Sequence, residues 1–164
     1  MENYIVINGK KAELTEEQLI ALGIKIEKND PFKLELGDYF YINPNGEVIE
    51  DHYCSGCIVT KNRHNAANFC TDKDLMEQRA LHEKLNRLLW RYSMEHDGDK
   101  ITYGDDTRKY HIYFNNGNIH FPEVNSWARS TSVGLIFFYN EKIAKAAIEE
   151  IVKPFMKAHP DFKW

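Results

Sequence analysis

Nowhere does the chain hold the roughly 18 consecutive apolar residues that a membrane-spanning helix needs. No spanning segment and no membrane partner are therefore expected. Its start, Met1-Glu2-Asn3-Tyr4, lacks both the basic and the apolar region of a secretory leader, which places the expected protein in the cytoplasm. Cysteine is scarce: three residues, an odd count, favour reduced thiols or metal ligands over a disulfide framework. The nine glycines are scattered over turns, so a phosphate-binding Walker loop and a dinucleotide fingerprint are absent. So is the Gly-x-Ser-x-Gly elbow of the serine hydrolases. His82-Glu83 starts like a zincin motif, but Asn86 stands three residues after Glu83 and no second histidine follows. Carboxylate pairs such as Asp105-Asp106 read as solvated loop. No catalytic residue is proposed from the sequence, and a non-enzymatic protein is expected.

What the chain does have is an apolar content of 43% over 164 residues, enough to build a core, and an aromatic content of 13%, much of it tyrosine. Charge is unevenly spread. Residues 1–51 hold 11 acidic against 5 basic side chains, and the rest holds 14 against 16. An acidic first third and a faintly basic remainder suggest two differently charged faces, although ordinary solvated surface reads the same way.

The expected fold is α+β. Tyr4-Ile5-Val6-Ile7, the turn Asn8-Gly9 and a return strand through Glu13 form a hairpin. Thr15-Glu16-Glu17-Gln18 matches a capping box for a short helix that Gly23 ends. This ββα opener is assigned to 1–36. A second hairpin is expected over Gly37–Ile42 and Glu47–Ile49 across Asn43-Pro44-Asn45-Gly46. Residues 50–68 read as loop. A helix begins near Thr71-Asp72 and runs to Gly98, roughly 35 Å at the usual rise, with Leu75, Leu81, Leu85, Leu88, Leu89 and Tyr92 near helical spacing. The second half offers Lys109–Phe114, a turn at Asn115-Asn116-Gly117, Asn118–Phe121, the strand-like Val133–Phe138, and a helix capped by Asn140. In that helix Pro154 is expected to cause a bend or an end.

The two later segments look duplicated. Tyr39 to Val48 overlays Tyr110 to Ile119 without a gap, Arg63 and Arg129 lie in the following loops, and Phe69-Cys70-Thr71 resembles Phe138-Tyr139-Asn140. Two similar ββ(β)α units, at 37–96 and 108–157, are expected within segments 37–100 and 101–164. An antiparallel sheet, or two, would then be packed by two long helices.

Three groups of residues are candidates for function. Cys54-Ser55-Gly56-Cys57 with His64 and Cys70 has the ligand types of a zinc site, since a CxxC turn aims two sulfurs at one point; free thiols are the competing reading. Arg79, Arg87 and Arg91 share a stripe of the long helix, and with Arg63 and Arg129 they have the charge to meet phosphate. Tyr39, Tyr41, Tyr110 and Tyr113 have the rings for a base-stacking platform, or for a half-buried strand face. Glu16, Glu17 and Glu27 carry the acidic first third and are candidates for contact with a basic partner.

The hairpin Gly37–Ile42 with Gly46-Glu47-Val48, the segment Asn68-Phe69-Cys70-Thr71, Gly134–Phe138 and Ile143–Glu150 resemble a group of small uncharacterised phage and prophage proteins of Gram-positive bacteria. The opener Tyr4–Lys10 is similar to an N-terminal module of such proteins. The resemblance implies an accessory protein in a bacterial host. It would bind and disable a host protein such as a defence nuclease, in the manner of anti-CRISPR inhibitors, by surface complementarity without catalysis. The alternative is a module that binds a nucleotide or nucleic acid, including a sponge for a signalling nucleotide.

Overall fold

The structure, a computed structural model, describes residues 4–7, 10–23, 30–34, 36–53, 55–96, 98–100, 109–115, 118–124 and 135–163. It is α+β, with small antiparallel sheets, and divides into two compact units, Met1–Lys33 and Leu34–Trp164. In the first unit β1 (Tyr4–Ile7) pairs antiparallel with β2 (Lys10–Glu13), and α1 spans Glu16–Ala21. The capping box forms: Thr15 Oγ1 accepts the Gln18 N–H at 3.3 Å and Gln18 Oε1 accepts the Thr15 N–H at 2.9 Å. The turn at Asn8-Gly9 lies outside the described residues.

In the second unit β3 (Gly37–Ile42) and β4 (Val48–Tyr53) form the expected hairpin. Asn43 shapes its tip, since its side-chain oxygen accepts the N–H groups of Asn45 and Glu47, and Gly46 takes the left-handed conformation at φ +87°. The stretch expected as loop is partly regular. β4 continues to Tyr53, and α2 covers Ile58–Asn65. Hydrophobic patterning missed α2 because Thr60 is the one side chain it buries. The helix is held by polar contacts instead, described below.

The long helix is α3, Lys73–Glu95, capped by Asp72, whose carboxylate accepts the Leu75 N–H at 3.0 Å. It buries Met76, Ala80, Leu85, Leu89 and Tyr92. Leu75, expected on the apolar face, is exposed. The following hairpin pairs Lys109↔Val124 and Tyr110↔Glu123, then Tyr113↔His120 to Asn115↔Asn118, all in one register. It is therefore a single ribbon, pinched where Pro122 has no N–H to give, and its strands are β5 (Lys109–His111), β6 (Tyr113–Asn115), β7 (Asn118–His120) and β8 (Glu123–Val124). β9 (Phe137–Phe138) lies on the other side of β5.

Both sheets share one arrangement. Cys70, two residues before the cap Asp72, pairs antiparallel with Phe40. Phe138, two residues before the cap Asn140, pairs antiparallel with Tyr110. After Asn140 come α4 (Glu141–Ala147), a π-helical turn (Ile148–Val152) and α5 (Lys153–Ala158). Pro154 neither ends nor breaks this helix. A proline cannot donate to the carbonyl four residues back, and here the turn ahead of it widens to the π form, keeping the helix continuous. Ala144 and Ala147, fully buried, let α4 approach the strands closely, and Phe162 docks on the same core. Among the described residues no helix is long and apolar enough to cross a membrane.

Candidate functional site

A groove of about 630 Å³ opens where β3 meets its turn, between the end of α2 and the middle of α3. Its walls carry Tyr41 from β3, Arg63 from α2, and Arg79, Glu83 and Arg87 from α3. Each arginine has a definite anchor. Arg63 Nη1 donates to Asp51 Oδ2 and to the Tyr39 hydroxyl, both at 2.5 Å. Its guanidinium lies 3.5 Å from the centroid of the Tyr41 ring, a cation–π stack. Asp51 is held below the ordinary carboxylate range, first by the Arg63 hydrogen bond and then by the His52 N–H.

Arg79 and Arg87 share one carboxylate. Arg79 Nε donates to Glu83 Oε1 at 3.0 Å, while Arg87 Nη1 stands 3.6 Å from Glu83 Oε2. Arg79 also donates to the Ala67 carbonyl. Arg87 reaches over the β3–β4 turn, where a Cβ on Gly46 would come within 3.0 Å of its guanidinium. A larger residue at 46 would push Arg87 out of this position. Three guanidinium groups and one carboxylate line the groove, and with Asp51 paired to Arg63 behind it one positive charge is left over in a concave setting.

The groove's geometry depends on how α2 ends. The Asn68 N–H bonds to the Arg63 carbonyl and the Ala67 N–H to that of His64, the paired bonds of a Schellman motif. The chain then turns back so that the Asn68 amide bonds both the N–H and the carbonyl of Ile42, at 2.8 and 2.7 Å. Asn68 thereby fixes the sheet edge on which the groove sits.

Of the residues proposed from sequence, Tyr41, Arg63 and Arg87 come together here. Tyr39 does not serve as a platform: it is fully buried, stacked on Phe69 at 4.6 Å, with its hydroxyl 3.3 Å from that of Thr60. Arg91 is exposed but does not line the groove. Tyr110 packs against the large core. Tyr113 lies between His111 and His120, with ring centroids at 5.3 and 5.2 Å. Glu17 is exposed on α1. Glu27, Cys54 and Arg129 lie outside the described residues, as does the side chain of Glu16.

Among the described residues no three histidine, cysteine or acidic side chains are placed to hold a metal ion, so Cys57, His64 and Cys70 do not form a site by themselves. Cys70 is buried in the sheet, its thiol pushed up by that burial, and its sulfur accepts the Asp72 N–H. His64 meets the Phe69 ring edge-on instead. Arg79, already on the basic stripe, belongs to the groove. Glu83 pairs with Arg79 and Arg87 at the four-residue spacing visible in the sequence, whereas Asn68 was not singled out, because its role depends on how α2 ends. No protein-family model, curated protein or solved structure matches the chain.

Proposed function

We propose that this chain is a non-catalytic binding module and that its arginine groove takes a nucleotide. One observation carries the reading: Tyr41, Arg63, Arg79 and Arg87, from three separate elements, line a single groove. Arginine forks match phosphate oxygens two at a time, so Arg79 and Arg87 are assigned to the phosphates, exchanging part of their contact with Glu83. The outer face of the Arg63 guanidinium, already flat on Tyr41, offers a base a stacking surface. The volume lies within the few hundred to about 1,000 Å³ typical of small-ligand sites. A long nucleic-acid backbone fits less well, because the chain is net acidic and the basic residues that line this site are confined to one groove.

The resemblance to phage and prophage proteins supplies a setting, in which the module sequesters a signalling nucleotide in the cytoplasm of a bacterial host. The matching sheets and caps of the two halves support an origin by duplication of a ββ(β)α unit. Titration calorimetry with ATP tests the binding. A saturable heat is expected, and Arg87→Glu is expected to weaken it by about tenfold or more. No heat with ATP, or equal affinity in the variant, would overturn the reading; tighter binding of decathymidylate would reassign the groove to single-stranded nucleic acid.

A second reading, inhibition of a host protein by surface contact, is favoured by Trp90 and Met94. They are exposed one turn apart on α3, and tryptophan is enriched among the residues that carry the binding energy of protein interfaces. Pull-down from host lysate with nuclease treatment, in wild type and Trp90→Ala, separates the two. A partner that resists nuclease and is lost in the variant supports inhibition.

A further inference from the structure

The second half carries a groove of its own, about 710 Å³, between the hairpin β6–β7 and the helix α4–α5. It shares no lining residue with the arginine groove. The two helices nevertheless present the same row. Arg79, Glu83 and Arg87 are spaced four residues apart on α3, and Lys145, Glu149 and Lys153 repeat that basic–acidic–basic spacing across the π turn. Each row faces the hairpin of its own half. The chemistry differs in two ways. The cations are lysines, compact point charges without the planar fork that suits phosphate. The walls and floor are apolar, built by Phe114, Ile119, Phe121, Ile148 and Met156.

We infer that this second groove binds a small amphipathic anion, an aliphatic or aromatic body carrying one carboxylate. The body is matched to the apolar wall, where Met156 adapts its shape to the occupant. The carboxylate is matched to the rim. Two ammonium groups and one carboxylate line it, since Glu149 pairs with Lys153 at 2.5 Å and the partner of Lys145, Glu141 at 2.7 Å, is not part of the lining. Lys145 also stands 5.5 Å from the centroid of the Phe121 ring, which places a positive charge directly above the apolar wall. The π turn supplies Ile148 and Glu149 to this surface, and such turns recur at binding sites because they redirect side chains that a regular helix would align elsewhere. The inference does not depend on what occupies the arginine groove.

The test is a methyl NMR titration of the full chain with decanoate, kept below its micellar concentration, and in parallel with decan-1-ol. Decanoate is expected to shift the methyl signals of Ile119, Ile148 and Met156 and to leave those of Ile42 and Met76, in the other core cluster, in place. The double variant Lys145→Gln, Lys153→Gln is expected to weaken decanoate by about tenfold while leaving decan-1-ol unchanged. Both lysines are exposed, so the variant keeps its fold, and an unchanged spectrum without ligand verifies that. The proposal is overturned by the absence of shifts, by shifts spread equally to Ile42 and Met76, or by equal affinity in the variant. It is also overturned if the groove signals move with protein concentration alone, which would mean that a second copy of the chain covers the site.

Discussion

Ala67 holds a backbone conformation that an L-residue adopts at a cost, φ +53° at the left-handed position closing α2. Glycine usually fills that place in a Schellman motif. The strain of a Cβ there amounts to roughly 1–2 kcal/mol, offset in part by the extra freedom glycine brings to the unfolded chain. Ala67→Gly is expected to stabilise the protein by about 1 kcal/mol, read as a higher urea midpoint at unchanged slope. The carbonyl that receives Arg79 belongs to the main chain and is retained, so ATP affinity should stay the same. A lower midpoint would mean that some contact of the Ala67 methyl outweighs the strain. No sequence signal announces this site, because alanine inside an Asn-Ala-Ala-Asn run looks like ordinary helix end. Tyr39 misled in the opposite direction. A half-buried strand face was one of its two readings, but α2 covers it fully and makes the tyrosine the pivot of a partly buried polar network.

At the scale of elements, α2 illustrates how a segment with no apolar stripe becomes ordered. Tyr39, Thr60, Asp51 and Arg63 form one hydrogen-bonded chain from β3 and β4 to the helix, and burial of Thr60 is its main packing contribution. Asp51 is held below its ordinary pKa of 3.8, so the unfolded state binds a proton more readily than the folded one. Its contribution is complete above that ordinary value and is lost as pH falls through the depressed folded value. Exposure of the carboxylate keeps the effect modest. The protection factors of α2 amides, taken relative to the intrinsic exchange rate at each pH, are expected to fall below about pH 4 while those in the middle of α3 are retained. In Asp51→Asn, α2 should exchange faster already at neutral pH and respond less to acid; an unaltered acid response would assign it to another group. Most other elements were legible. The Asn43–Gly46 hairpin tip, both caps and the long helix follow from turn residues, Asx capping and spacing. The gap-free overlay of Tyr39 on Tyr110 was a residue out of step with the pairing, in which Phe40 takes the place of Tyr110. A shift of one residue exchanges the two faces of a strand, which explains why Tyr39 meets α2 while Tyr110 meets the core. The arginine groove was legible in its residue types but not its membership, since Arg63 reaches it through the fold of α2.

For the whole molecule, the decisive feature is that α3 belongs to two apolar clusters. Met76 and Ala80 pack with Ile42 and Cys70, while Leu85, Leu89 and Tyr92 pack with Phe138, Ala147 and Phe155. A rigid helix shared between clusters transmits loss of one to the other, so the two halves of Leu34–Trp164 should not melt separately. Residues 34–164, produced without the first unit, are expected to fold and to unfold in one transition, with near-ultraviolet and far-ultraviolet dichroism giving coincident curves. Met76→Ala, at a fully buried position, should lower stability by roughly 2–5 kcal/mol and shift both curves together, although its cluster is the smaller one. ATP affinity of this fragment should equal that of the full chain, because every residue assigned to the groove lies after position 34. Two separated transitions would show that α3 frays between the clusters and that the halves are independent folding units. A single transition with lost ATP affinity would instead show that the first unit contributes to the nucleotide site.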